Sequence, residues 1–446
     1  MGTMTKFRFH TRMIQAGLAL VTGVLPLTAQ VGVDAWPEYR GTGSDGQASE
    51  SRPPTSWNED SNVTWKTPIH GRGWSSPVVL EGRVWLTTAT EEGHQLSVLA
   101  IDLESGTLLV DRVLFEVAEP QERNSLNSFA SPSAVLEPGR VYIHFGDAGT
   151  ACLDSKSGET IWERRDIRCE HLEGPGSSPI LFGGSLIFHV DGSDVQYVIA
   201  LDKATGETLW QTKRDVDLSG FKPDLRKAFS TPLVVEVSGR QELISTGAQA
   251  TFAYDPATGK TLWSIPHDGF SMSSRPFQGG DLVYLNTGFM RPRLMAVQPG
   301  TGAGTGAGTG TEAGEFKAED RVQWSTANGV PTIPTPVFYD GLITMISDGG
   351  IATCLDGLSG DVVWKERIGG EFSASPVLAG GNIYLFDRDG IAKVLVAGPT
   401  FEILTTNELD SGCMASPAIV GDSLIVRTKT HLYRLGADGN GGEGPR

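Results

Sequence analysis

Apolar residues along this chain come in short runs broken by Gly, Asp, Asn and Ser, and no stretch after residue 30 repeats with a helical period. Residues 175–210 show the unit. Ser177–Phe182 is short, apolar and bounded by Gly, and it suits a buried inner strand with its Pro at the entry, where a missing N–H costs least. Gly183 and Gly184 turn the chain into a second strand, Ser185–Val190. Asp191–Asp194 is turn chemistry, and Gln196–Asp202 is a third strand. Ala204-Thr-Gly206 turns again, and Glu207-Thr-Leu-Trp210 opens a fourth. Four strands per unit and no helix predict an all-β fold.

The unit recurs. Ala200-Leu-Asp-Lys-Ala-Thr-Gly-Glu-Thr-Leu-Trp210 and Ala253-Tyr-Asp-Pro-Ala-Thr-Gly-Lys-Thr-Leu-Trp263 are full copies of one pattern. Residues 152–162 and 354–364 are close variants, and residues 100–110 have lost only the Trp. The Gly supplies the positive φ of the turn. The Trp is expected to lie across the seam to the next unit, burying one large face between sheets. Copies of one supersecondary unit at this spacing are the signature of a propeller.

A second marker runs in step: a small residue, then Pro, then an apolar run. It occurs at Pro77, Pro132, Pro179, Pro232, Pro336, Pro376 and Pro417, with Arg275-Pro276 filling the remaining slot. Successive prolines stand 40 to 60 residues apart, against about 40–50 for a four-stranded blade. The longest gap holds a Gly/Thr/Ala tract, and residues 299–314 are expected to be a mobile surface insertion. After Pro417 only two further strands follow, so the last blade lacks its outer strand. Asn62–Ile69 has the outer-strand pattern, with Trp65, and no blade of its own. Pairing it with the last three strands closes the ring and removes the open edges. The expectation is one eight-bladed β-propeller over residues 31–436, with a disordered tail at 437–446.

Residues 1–30 read as an export signal: Lys6, Arg8 and Arg12 precede an apolar run from Met13 to Leu27. Their removal, three bases and no acid, takes the formal charge from −17 to −20. Such an acidic chain argues against nucleic acid and anionic membrane surfaces as partners, and the mature chain offers no membrane-spanning segment. A periplasmic or extracellular monomer is expected. Cys152 and Cys354 share one repeat position and read as buried thiols, while a Cys152–Cys169 bridge stays open in an oxidising compartment.

The Ala-x-Asp-x-x-x-Gly-x-x-x-Trp repeat resembles the tryptophan-docking motif of the pyrroloquinoline-quinone (PQQ) propellers. The opening Trp36-Pro-Glu-Tyr-Arg-Gly41 and the closing Arg427–Arg434 are similar to a group of secreted bacterial PQQ-like repeat proteins beside the outer-membrane assembly factor BamB. The resemblance implies an eight-bladed propeller and two kinds of function. One is a cofactor-free scaffold working through surface contacts. The other is a quinoprotein dehydrogenase with PQQ and Ca²⁺ at the ring centre. The chain lacks the adjacent cysteines and the haem-attachment sequence of many quinoproteins.

In a propeller, the loops leading into the inner strands open on one face, where a central ligand is met. Those loops carry the candidate ligands Asn127, His171, Glu173, Arg226, Lys227 and Arg275. The three cations are suited to a polyanion, or else to pairing with the abundant acids. His171 with Glu173 has the composition of a general-base pair or of an interloop hydrogen bond. Asp147, Asp191, Asp348, Asp387 and Asp389 fall in the turns after second strands, where Asp is ordinary turn chemistry, and no calcium or phosphate loop is present. No catalytic or metal-ligating set emerges. The expectation is a non-catalytic binding scaffold for a protein partner or an anionic small molecule, without a cofactor; the alternative is a PQQ- and calcium-dependent oxidoreductase.

Overall fold

The computed structural model describes residues 1–2, 34–300 and 318–436. The expected export signal at 1–30 (beyond its first two residues), the expected insertion from residue 301 onward and the expected tail at 437–446 lie outside the described residues. Eight sheets, each built on four antiparallel strands, follow one another along the chain. Their inner strands are Val78–Leu80, Val135–Glu137, Ile180–Phe182, Leu233–Val237, Phe277–Gly279, Val337–Tyr339, Val377–Ala379 and Ala418–Val420, and they number the blades 1 to 8. Blade 3 shows the common order: Ile180–Phe182, Ser185–Asp191, Gln196–Asp202 and Thr208–Lys213, each paired to the next. Ring closure is as expected. Val63–Pro68 pairs antiparallel with His431–Leu435 and becomes the outer strand of blade 8.

The geometry explains the repeat. Asp202 accepts the backbone N–H groups of Ala204 and Thr205, which holds the turn. Gly206 follows with φ +77°, and a Cβ there would stand 2.7 Å from the Trp162 ring of the preceding blade. The Trp162 indole N–H donates to the Lys203 carbonyl at 3.0 Å. Trp65, Trp210, Trp324 and Trp364 make the same bond to Leu103, Pro256, Gly357 and Gly398. Asp, Gly and Trp are therefore one seam, written by two neighbouring blades. Every outer strand carries a bulge next to this position, which turns the Trp inward and leaves its apolar predecessor, such as Ile161 or Leu209, exposed.

Blade 5 departs from the pattern. Its insertion occupies the connection that elsewhere supplies the receiving carbonyl and Gly. Trp263 of blade 4 instead donates to the buried Glu242 carboxylate at 2.9 Å, and the Arg321 guanidinium lies 4.8 Å over its ring. The first residues of the insertion are held: the Gly300 N–H donates to Glu242, and Arg321 donates to the Gly300 carbonyl.

The four cysteines are free and buried, so no bridge links Cys152 to Cys169. No helix among the described residues is long and apolar enough to cross a membrane.

Candidate functional site

A cavity of about 740 Å³ lies on the ring, lined by loops and inner-strand entries of all eight blades. Below it runs a belt of one residue per blade. The backbone N–H of Ser76 donates to the Ser133 hydroxyl, Ser133 to Ser178, and Ser178 to Thr231. On the other side Arg275 donates to Thr335, Thr335 to Ser375, and Ser375 to Ser416. All six bonds measure 2.9–3.0 Å. The belt explains the small-residue–Pro marker: the hydroxyl crosses to its neighbour, and the Pro that follows directs the inner strand outward. In blade 2 the belt residue is Ser133, followed by Ala134, not the Ser131-Pro132 expected from the sequence.

The N-terminal segment lies against the belt. Trp36 bridges to Val79 of blade 1, and the Pro37 carbonyl accepts from Leu136 of blade 2. Arg40 is fully buried and donates to the carbonyls of Pro336, Pro376 and Asp45. Arg275 donates to the carbonyls of Pro232 and Tyr39 and stands 3.5 Å from Glu38. Gln47–Ala48 then adds to blade 7 as a parallel strand. Tyr39 lines the cavity and shares a hydrogen bond with Ser375. Residues 36–48 thus seat against the belt side of the cavity and build its floor.

The opposite end is apolar and open. Leu126, Phe289 and Met290 line it and are 50%, 53% and 73% exposed. Trp74, Phe229 and Phe270 continue the apolar wall.

The structure brings Asn127, Glu173 and Lys227 together in this wall. The Asn127 amide donates to the Glu173 and Pro175 carbonyls, so it fixes a loop. Lys227 is buried between Glu173 at 3.3 Å and Asp224 at 3.2 Å. Arg226 and Arg275 do not join it. The Arg226 guanidinium donates to the Phe221 carbonyl, and Arg275 serves the floor. The three cations therefore do not converge on one anion. His171 lies outside this cavity. Its Nε2 accepts the Asp147 N–H at 3.1 Å, burial lowers its pKa, and Glu173 is engaged by Asn124 and Lys227 instead. His171 and Glu173 thus contact different partners, and the ring lone pair that a base would use accepts the Asp147 N–H.

Sequence reasoning named Asp348 only as turn chemistry and missed Arg388, both of which line the cavity. Asp348 accepts the N–H groups of Thr332 and Ile333, and Arg388 pairs with Glu371 and Ser373. It also missed the buried Asp191–Arg214 pair of blade 3, two bonds at 2.7 and 2.6 Å with both side chains shut from solvent. Asp191 in a turn was visible; its partner, twenty-three residues on, carried no local signal.

Eight four-stranded blades closed by an N-terminal strand, with an indole at most seams, define a PQQ-like repeat β-propeller. The chain belongs to the family described as outer membrane protein assembly factor BamB, which matches residues 47–169 and 194–438. It is 24% identical over 279 residues to the outer membrane protein assembly factor BamB of Yersinia pestis, covering 61% of this chain and 65% of that protein. It is 25% identical over 285 residues to the quinohemoprotein alcohol dehydrogenase ADH IIB of Pseudomonas putida, covering 61% of this chain and 39% of that protein. The matches thus span less than two thirds of these relatives. A solved europium-containing methanol dehydrogenase superposes with a TM-score of 0.63 at 13% identity, over 90% of this chain and 91% of that one, a likeness of fold alone.

PQQ carries three carboxylates and works with a metal held by oxygen ligands. The cations of the cavity wall, Lys227 and Arg388, are already paired with carboxylates. Among the described residues no three His, Cys, Asp or Glu side chains are grouped to hold a metal ion. The charged wall thus leaves no unpaired cation for the carboxylates of PQQ.

Proposed function

We propose that this protein is an exported, non-catalytic binding and assembly scaffold, and that the blind cavity with its exposed apolar mouth is its binding face. One observation carries the reading. Every charged side chain of the cavity wall is tied to a partner, while Leu126, Phe289 and Met290 stand exposed at its mouth. Committed acids and bases suit a rigid wall better than proton transfer. Exposed apolar groups around a concavity suit a partner surface. Family membership supports the same reading, since the family's description is that of an assembly factor.

The competing reading is a PQQ-dependent oxidoreductase, favoured by the sequence likeness to the Pseudomonas putida enzyme. Mixing the purified protein with PQQ and Ca²⁺ separates the two. The scaffold reading expects no alcohol- or sugar-dependent dye reduction and no thermal shift. Tight binding would add about 2.7 kcal/mol at a hundredfold excess of ligand over its dissociation constant. A shift of that size with dye reduction overturns the scaffold reading.

A further inference from the structure

The belt is not uniformly covered. On blades 5, 6 and 7 it meets the N-terminal segment: Arg275 bonds to Tyr39, Ser375 to the Tyr39 hydroxyl, and the carbonyls of Pro336 and Pro376 to Arg40. On blades 8, 1, 2, 3 and 4 it faces the cavity, through Ser416, Ser76, Ser133, Ser178 and Thr231. These five side chains are all more than nine-tenths buried. The oxygens of Ser133, Ser178, Thr231 and Ser416 each accept a backbone N–H from the neighbouring blade. None of the four donates its own hydrogen to a described residue, and the Ser76 hydroxyl has no described partner at all. An accepted N–H takes up one lone pair of each oxygen and leaves its O–H free to donate into the cavity. Five contiguous blades therefore present a concave row of hydroxyl donors with no protein acceptor.

Arg40 and Arg275 are both buried at the floor beside that row. Arg275 stands 3.5 Å from Glu38, and the Asp45 carboxylate acts on Arg40. Converging hydroxyl donors favour an oxyanion, as donors aimed at a developing charge do elsewhere. Above the row the wall is Phe229, Phe270, Trp74 and Ile333, which suits an apolar body.

From this we infer that the cavity takes a ligand with an apolar body and a single terminal carboxylate, the carboxylate seated on the hydroxyl row. The inference rests on the scaffold reading only in placing the binding face here. The shared chemistry has two sources, a free small carboxylic acid and the C-terminus of a peptide ending in an apolar residue. The experiment titrates the whole mature protein by calorimetry with 3-phenylpropionate, its primary amide, an acetylated tetrapeptide ending in Phe with a free carboxylate, and the same peptide amidated. At least one carboxylate is expected to bind ten times or more tighter than its amide, and the one that does identifies the source. In Ser133→Ala/Ser178→Ala the preference should fall to twofold or less. If that variant misfolds, Thr231→Val alone should lower the preference at least threefold. Equal binding of acid and amide overturns the hydroxyl-row site while leaving the scaffold reading intact. Absence of binding by all four probes overturns it also. A preference unchanged in folded variants does the same.

Discussion

The Arg275 guanidinium donates to the Tyr39 carbonyl at 2.6 Å, so the one belt position without a hydroxyl grips the N-terminal segment with a charged side chain. Its backbone N–H still makes the inter-blade bond to Thr335. Substitution therefore spares the belt and releases the floor. Arg275→Ala strands the buried carbonyls of Pro232 and Tyr39, and each lost partner costs about 1–3 kcal/mol. The expected result is a lowered urea midpoint together with proteolytic cleavage before residue 60 under native conditions. A variant as stable and as protease-resistant as the parent would contradict the role given to this side chain.

Ring closure sets the second expectation. Trp65 is buried, and Val63–Pro68 completes blade 8. Trp65→Ala should cost about 3–5 kcal/mol, as deletion of a buried indole does. A chain that starts after residue 70 should aggregate or lose cooperative melting, because blade 8 then presents an unpaired edge. Size-exclusion chromatography and a thermal melt decide it. A truncated chain that stays monomeric and melts as before would refute the closure.

Glu242 is the substitute acceptor at the irregular seam. It is fully buried, takes the indole N–H of Trp263 and the N–H of Gly300, and pairs with Arg240. Glu242→Ala should destabilise by roughly 3–5 kcal/mol, the loss seen when one partner of a buried ionic group is removed. Replacing residues 302–314 with a short Gly-Ser turn should change stability by about 1 kcal/mol or less. Denaturant melts of both variants test the contrast, and similar losses in the two would break it.

Acid sensitivity follows from buried neutral histidines. Burial lowers His144 to about 3 and His267 to about 4, and it holds His189 well below the ordinary value of 6.5. The unfolded chain therefore binds protons below pH 6.5 that the folded chain refuses. Stability from these groups is complete above 6.5 and is lost as the pH falls toward the folded values, by about 1.4 kcal/mol per pH unit per group. Between pH 7.5 and 5 each should contribute a loss of roughly 2 kcal/mol. His144→Gln should flatten the slope by one group's share. Urea midpoints that do not move between pH 7.5 and 5 would count against this account.

The buried Asp191–Arg214 pair gives the last expectation. Asp191→Ala should cost about 3–5 kcal/mol, since it leaves a guanidinium buried without its counter-charge. Asp191→Ala with Arg214→Leu should recover part of that loss. Thermal melts compare the two, and a double variant no better than the single one would show that packing against Phe252 matters more than charge.

The amino-acid sequence by itself determined the blade count, the closure by residues 62–69 and the seam of Asp, Gly and Trp. Each of these is written in local patterns: alternation along a strand, turn residues at fixed offsets, and a copy number that survives drift. It also placed Asn127, Glu173 and Lys227 in the loops that meet at the ring centre. Only the tertiary structure decided what those residues face. Arg275 sits at the belt of blade 5 and Lys227 in the loop that leads into blade 4; the first holds the N-terminal floor and the second a wall carboxylate. Neither the belt that makes Ser133 rather than Ser131 the blade 2 member nor the pairing of Asp191 with Arg214 could be read locally. Each depends on which side chains the closed ring brings within hydrogen-bond distance, and that distance is set by the packing of all eight blades rather than by any one of them.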